Sequence, residues 1–197
     1  MTKDWTGNKS SSYRILGASN HSSGEREQHD FYATDPTAID DLLKYETFNK
    51  NIWECACGQG HLAERLKQQG FNVKCTDLID RDYGTGGVDF LKNTEKFYGD
   101  VITNPPYKYT SEFILKALES VPDGAKVAMF LKLQTLEGAN RYREIYSKVP
   151  PQQVYVYSKR KKCFMNGIDD GKSSAICYAW FVWVKGEYDR TEIKWIY

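Results

Sequence analysis

The chain has 197 residues, 41% of them hydrophobic and 14% aromatic, and a net charge of +1. That length supports one domain with a proper core, and that composition excludes a disordered polymer. No apolar stretch reaches the roughly 18–20 residues of a membrane span, and the polar start Met1-Thr2-Lys3-Asp4-Trp5 lacks a signal-peptide core, so a cytoplasmic protein with no membrane partner is expected.

Residues 1–30 are rich in Ser, Gly and Asn without hydrophobic periodicity and read as a polar arm; 31–197 read as a single domain. A helix is expected over Pro36–Leu43, with Asp35 as N-cap and Pro36 in its first position. Asn51–Cys57 reads as an apolar strand, and Gly58-Gln59-Gly60 as the turn into a helix over His61–Gln69 that stops at Gly70. Strands follow at Asn72–Leu78, more weakly at Gly87–Phe90, and at Asp100–Thr103. Thr110–Ser120 is an amphipathic helix. The turn Pro122-Asp123-Gly124 leads into a strand over Lys126–Lys132, and Asn140–Lys148 is a helix stopped by Pro150-Pro151. Gln153–Tyr157 and Ala175–Val184 close the chain as strands around a polar loop. Alternating strands and helices argue a three-layer α/β sandwich.

The five cysteines (Cys55, Cys57, Cys75, Cys163, Cys177) form no Cys-x-x-Cys pair. Cys55 and Cys57 would share one face of their strand, poor geometry for zinc, so reduced thiols and no metal site are expected. The three histidines (His21, His29, His61) are unclustered and read as surface or loop residues. Charge is unevenly spread. Residues 1–125 carry 14 basic and 19 acidic side chains, whereas 126–172 carry 10 basic and 4 acidic, including Lys159-Arg160-Lys161-Lys162. A solvated surface explains such a run, as does a face for phosphates.

Two constellations carry chemistry. Asn104-Pro105-Pro106-Tyr107 ends the strand Asp100–Thr103. Two prolines without N–H groups leave one amide, free carbonyls and an aromatic ring, a setting poor in donors that suits an amine with protons to share. Upstream, Glu54-Cys55-Ala56-Cys57-Gly58-Gln59-Gly60 places glycines at a strand-to-helix turn, where backbone comes close to a ligand and helix N–H groups face it. A tight turn explains two such glycines equally. Glu54, however, is a carboxylate inside an apolar strand, and Asp77 ends the next strand about twenty residues on. The G-x-G-x-x-G of dinucleotide sites is absent, since positions 56 and 63 are both Ala.

The tetrad resembles the [DNS]-P-P-[YFW] signature of S-adenosylmethionine-dependent amino-methyltransferases, and 54–60 is similar to the [DE]-x-[GA]-x-G-x-G of class I methyltransferases. The resemblance implies a Rossmann-like, mostly parallel seven-stranded sheet with an antiparallel last strand, and S-adenosyl-L-methionine as cofactor. Phe31, Tyr32 and Thr34 would close over the methionine end of that cofactor, although Asp35 interrupts the usual Thr-Pro. Glu54, Ala56, Cys57, Gly58 and Gly60 would border the methionine portion, Asp77 and Leu78 the ribose, Asp89 and Phe90 the adenine, and Asn104 the reacting end. Asn104, Pro105, Pro106 and Tyr107 would be catalytic. Tyr107 would stack on a base, Phe164 would hold it from the other side, and Lys108, Lys159, Arg160, Lys161 and Lys162 would lie along the substrate.

Motif order matches small phage- or prophage-type DNA adenine-N6 methyltransferases, implying a nucleic acid partner, DNA before RNA. The chain leaves no room for a separate target-recognition domain. Specificity is therefore expected from the loop 159–174, the arm, a partner subunit or homodimer, or substrate shape. An RNA adenine-N6 methyltransferase and a protein-glutamine methyltransferase share the tetrad and stay open. A pseudoenzyme subunit fits less well, because the tetrad is intact.

Overall fold

The computed structural model describes residues 32–161, 163–165 and 176–197, without the side chains of Tyr32, Phe164 and Met165. The expected arm lies outside the described residues.

Seven strands form one sheet. In chain order they are β2 (Asn51–Glu54), β3 (Asn72–Cys75), β4 (Asp100–Thr103), β5 (Lys126–Lys132), β6 (Gln153–Tyr157), β8 (Tyr178–Val184) and β9 (Glu192–Ile196). Their order across the sheet is β3-β2-β4-β5-β8-β6-β9. β8 runs antiparallel to both neighbours, while the other pairs are parallel. Every residue of β4 and β8 is buried, because helices cover both faces and leave no side for solvent. On one face α1 (Thr37–Leu43) and α2 (His61–Gln68) bring Ile39, Leu42, Leu62 and Leu66 against Ile52, Ile102 and Trp180. On the other, α3 (Thr110–Ser120) and α4 (Ala139–Tyr146) bring Phe113, Ile114, Leu118 and Ile145 against Val101, Met129, Phe181 and Trp183. This is the three-layer sandwich expected, with its seven strands and its antiparallel strand in the 175–184 run.

Four details differ. The strand expected at Gly87–Phe90 does not form. Gly87 takes φ +74°, outside the extended region, and Asp89 opens a turn by accepting the Leu91 N–H. Only a single parallel bridge, Thr76 to Thr85, remains beside β3. The seventh strand is β9 instead, added beyond the expected last strand and parallel to β6. β2 stops at Glu54 rather than Cys57, so Cys55 and Cys57 do not share a sheet face, and the Cys57 N–H bonds the Thr76 carbonyl. Finally, α4 opens as a single α-turn and then widens to an i→i+5 spacing, with Ser147 N–H on the Tyr142 carbonyl.

A second, two-stranded sheet was not expected. β1 (Tyr32–Thr34) pairs antiparallel with β7 (Cys163–Met165), setting Thr34 opposite Cys163 and Ala33 opposite Phe164. β1 leads directly into α1, which starts at Thr37 with Pro36 in the N-cap position, one residue later than expected; Asp35 still braces that start, its Oδ1 accepting both the N–H and the hydroxyl of Thr37.

Candidate active site

The carboxyl ends of β2, β3 and β4 open into one cavity of about 1050 Å³. Such crevices collect ligands because parallel strands end together there and loops line the rim. Thr34, Glu54, Ala56, Cys57, Asp77, Leu78, Asp89, Phe90, the tetrad Asn104–Tyr107 and Lys108 all line it. The residues picked from two distant sequence motifs therefore converge on one space.

Glu54 is 1% exposed at the foot of the cavity. Its Oε1 accepts the Thr103 hydroxyl and the Ala56 N–H (3.3 Å), while Oε2 is buried without a hydrogen-bond partner among the described residues. Burial pushes the carboxyl up to about 8, outweighing those two hydrogen bonds, and Asp77 adds to the rise. Asp77 is held from both oxygens: Gly58 N–H donates to Oδ2 (2.8 Å) and Ile79 N–H to Oδ1 (2.9 Å). Asp89 is drawn low by its contact with Lys92 (3.0 Å). Phe90 has a double role, lining the cavity while packing edge-on to Trp53 at 5.2 Å.

The glycine turn works differently from the expectation. Neither Gly58 nor Gly60 lines the cavity. Gly58 positions Asp77, and Gly60 (φ +86°) makes way for the Tyr83 ring, into which a Cβ there would run. The Tyr83 hydroxyl bonds Glu64 (2.6 Å) and Lys67 (2.8 Å), so the loop after β3 is clamped onto α2.

At the other end of the cavity, Asn104 Nδ2 donates to Thr34 Oγ1 at 2.8 Å. The amide end turned away from Thr34 is thus the oxygen. Pro106 starts a tight turn, with Tyr109 N–H on its carbonyl (2.9 Å). Tyr107 is enclosed: its hydroxyl lies 3.6 Å from Cys163 Sγ, its ring centroid is 6.0 Å from that of Tyr178, and Lys132 Nζ sits 4.3 Å over the ring. Burial holds the Tyr107 hydroxyl well above its ordinary range.

No known protein family and no curated protein matches the sequence. Solved structures do match the fold. A protein classed as a class I S-adenosylmethionine-dependent methyltransferase from Listeria monocytogenes superposes with a TM-score of 0.60 at 14% identity, covering 95% of this chain and 71% of that one. A protein classed as a hemolysin from Lactococcus lactis gives 0.60 at 9% identity, over 81% and 91%. The type IIG restriction endonuclease BpuSI gives 0.52 at 13% identity, over 78% of this chain and 24% of that one. The fold is that of the class I methyltransferases.

Within that fold the substrate-side residues divide. Lys161 is committed elsewhere: it bonds Thr37 Oγ1 (2.7 Å) and pairs with Asp41 (2.7 Å) on α1. Lys159 and Arg160 are exposed, and Lys108 is exposed with its ammonium 5.1 Å over Tyr109. Phe31 and Lys162 lie outside the described residues. Tyr32 and Phe164 are placed by backbone alone, on β1 and β7. Lys132, Arg81 and His61 also line the cavity, and no motif marks them for it. Burial lowers the His61 imidazole, which stands at the start of α2 rather than on an open surface. All five cysteines are unbridged, and no cluster of metal-ligating side chains occurs among the described residues.

Proposed function

We propose that this chain transfers a methyl group from S-adenosyl-L-methionine to the exocyclic N6 amine of adenine in DNA. The observation that carries the reading is the single cavity in which Asn104-Pro105-Pro106-Tyr107 faces Glu54, Asp77 and Asp89. The donor set fits the cofactor. The unmatched, buried Oε2 of Glu54 suits a ligand ammonium, the carboxylate of Asp77 suits vicinal hydroxyls, and Asp89 beside Phe90 suits an amino-bearing ring. When bound, S-adenosylmethionine supplies an electrophilic methyl group on sulfur.

The protein's own task is to position the nucleophile. Asn104 Oδ1 and the Pro105 carbonyl accept the two N–H bonds of the incoming amine. Two acceptors draw the nitrogen toward a pyramidal shape and stabilise the positive charge it gains. No side-chain base is needed to start the reaction. A base in a duplex keeps its amine paired, so the target must be unstacked first. Tyr107 offers its ring to that base, and the ammonium of Lys132, now over the ring, gives way to it.

Adenine is favoured over a glutamine side chain by the basic bias of residues 126–172 and by the order of the motifs along the chain. DNA is in keeping with the restriction endonuclease among the structures sharing the fold. A partner subunit or a second copy would supply sequence recognition, in a cytoplasmic setting.

The decisive experiment offers tritiated cofactor with duplex DNA, single-stranded DNA, RNA and protein extract, then identifies the product. N6-methyladenine from DNA is expected; label only in protein or RNA would overturn the substrate. Asn104→Ala should lose transfer by at least about a thousandfold while still binding S-adenosylhomocysteine. Retained turnover in that variant would sink the mechanism.

A further inference from the structure

Thr34 entered the sequence reading as a residue of the cofactor site, yet the structure gives its hydroxyl to Asn104. We infer that Thr34 is a positioning residue that fixes which end of the Asn104 amide serves the reaction. The inference rests on the proposed amine methylation.

Hydrogen-bond direction decides which end of the amide faces Thr34. A threonine hydroxyl donates one hydrogen bond and accepts others, so by itself it would tolerate either orientation of a facing amide. Here its proton has another destination. Cys163 stands opposite Thr34 in the β1–β7 ribbon, and its sulfur shares hydrogen bonds with the hydroxyls of Thr34, Tyr107 and Tyr178. Because Thr34 Oγ1 accepts the Asn104 Nδ2–H at 2.8 Å, its own proton points away from the amide, and the NH₂ end is the one this contact holds. A chain of contacts results, from Asn104 Nδ2 to Thr34 Oγ1 to Cys163 Sγ. It leaves the amide oxygen as the end directed away from Thr34, the end an amine substrate requires. A flipped amide would set two donors against the substrate's own N–H bonds.

The same sulfur also meets the Tyr107 hydroxyl at 3.6 Å. The ribbon thus touches both ends of the tetrad, Asn104 through β1 and Tyr107 through β7. A strand pairing unforeseen in the sequence becomes the support on which the reacting groups are registered.

The test compares Thr34→Val, which keeps the shape and removes the hydroxyl, with Thr34→Ser, which keeps the hydroxyl. In the full chain, Thr34→Val should lower kcat about tenfold or more, with KM for an adenine-bearing duplex and Kd for S-adenosylhomocysteine within about twofold. Thr34→Ser should stay within about threefold of the native kcat. Loss of cofactor affinity at unchanged kcat would return Thr34 to the cofactor site and overturn the inference. An arm independent of turnover follows the Asn104 side-chain NH₂ resonances, assigned by their disappearance in Asn104→Asp. They should shift in Thr34→Val and return in Thr34→Ser. If they ignore Thr34→Val, the contact is absent and the inference falls. If they respond but the native chain methylates nothing, the functional reading fails while the Thr34 contact stands.

Discussion

Glu54 shows how a single buried side chain ties the site to solution conditions. Its carboxyl ordinarily titrates near 4.5 and is raised to about 8 in the fold. A raised acid contributes stability that is complete below its unfolded value and is lost as pH rises through the folded one. The ligand-free protein should therefore lose stability between about pH 5 and pH 8 relative to Glu54→Gln, by an amount on the order of a few kcal/mol. Paired melting curves across that range check it, and parallel curves for the two proteins would count against it. The glycine turn makes a second demand. Gly60→Ala combines a left-handed backbone with a collision against Tyr83, and should cost about 2 kcal/mol or more in urea denaturation. Removing the ring as well, in Gly60→Ala with Tyr83→Ala, should recover only part of it. At this scale the sequence was readable where chemistry is local. The tetrad announces itself in four letters, and Glu54 is conspicuous as a charge in an apolar run. Its reading failed where a residue's role comes from a distant neighbour, as with Gly60 under Tyr83, Thr34 on Asn104, or Lys132 over Tyr107.

Among the elements, the basic run after β6 separates into two jobs. Lys161 fastens the ribbon's approach to α1 through Asp41, whose carboxyl is held low despite its burial by hydrogen bonds from Lys161 and Lys44. Lys161→Met should cost about 1 kcal/mol of stability, since the pair is half-buried and its partner would be left in a poor environment. Lys159 and Arg160 are exposed, and their joint replacement by Ala should leave stability within about 0.5 kcal/mol. If both meet phosphates, the slope of log affinity for duplex DNA against log salt should flatten by about 2. An unchanged slope would assign them to solvent. Element boundaries were legible wherever periodicity and stops agreed: α3, β5 and β6 run over the residues expected. The 87–90 segment misled because Val88 and Phe90 alternate with polar neighbours as a strand would, while Gly87 bends the backbone out of register. β9 was overlooked because Glu192-Ile193-Lys194-Trp195-Ile196 presents three exposed side chains, so little apolar periodicity marks it.

For the whole molecule, stability centres on β8, the strand between the two core faces. Trp180 is fully buried and its Nε1 donates to the Ala38 carbonyl (3.0 Å) and the Tyr157 hydroxyl (3.2 Å), stitching α1 and β6 to the sheet. Trp180→Phe removes both bonds, leaving the Ala38 carbonyl only the Tyr157 hydroxyl at 3.4 Å, and opens a gap, for an expected loss of about 2–3 kcal/mol by urea denaturation with an unchanged m-value. Trp195, 71% exposed on the outer strand, should tolerate Ala within about 0.5 kcal/mol, and a large effect there would mean that this edge is covered. The alternation of strands and helices carried the architecture, because each buried strand must be sandwiched and each crossover must return the chain to the same sheet. Topology also decides when the site comes into being. The ribbon joins a strand just ahead of α1 to one that emerges after five of the sheet's seven strands have been made. Asn104 leaves the ribosome with Thr34 already made but Cys163 still unsynthesised. Contacts so remote in sequence close late, after the nearer strands have met. A nascent chain ending before β7 carries the tetrad but lacks both the ribbon that registers it and the buried strand β8, so competence for transfer would be among the last properties the folding protein acquires.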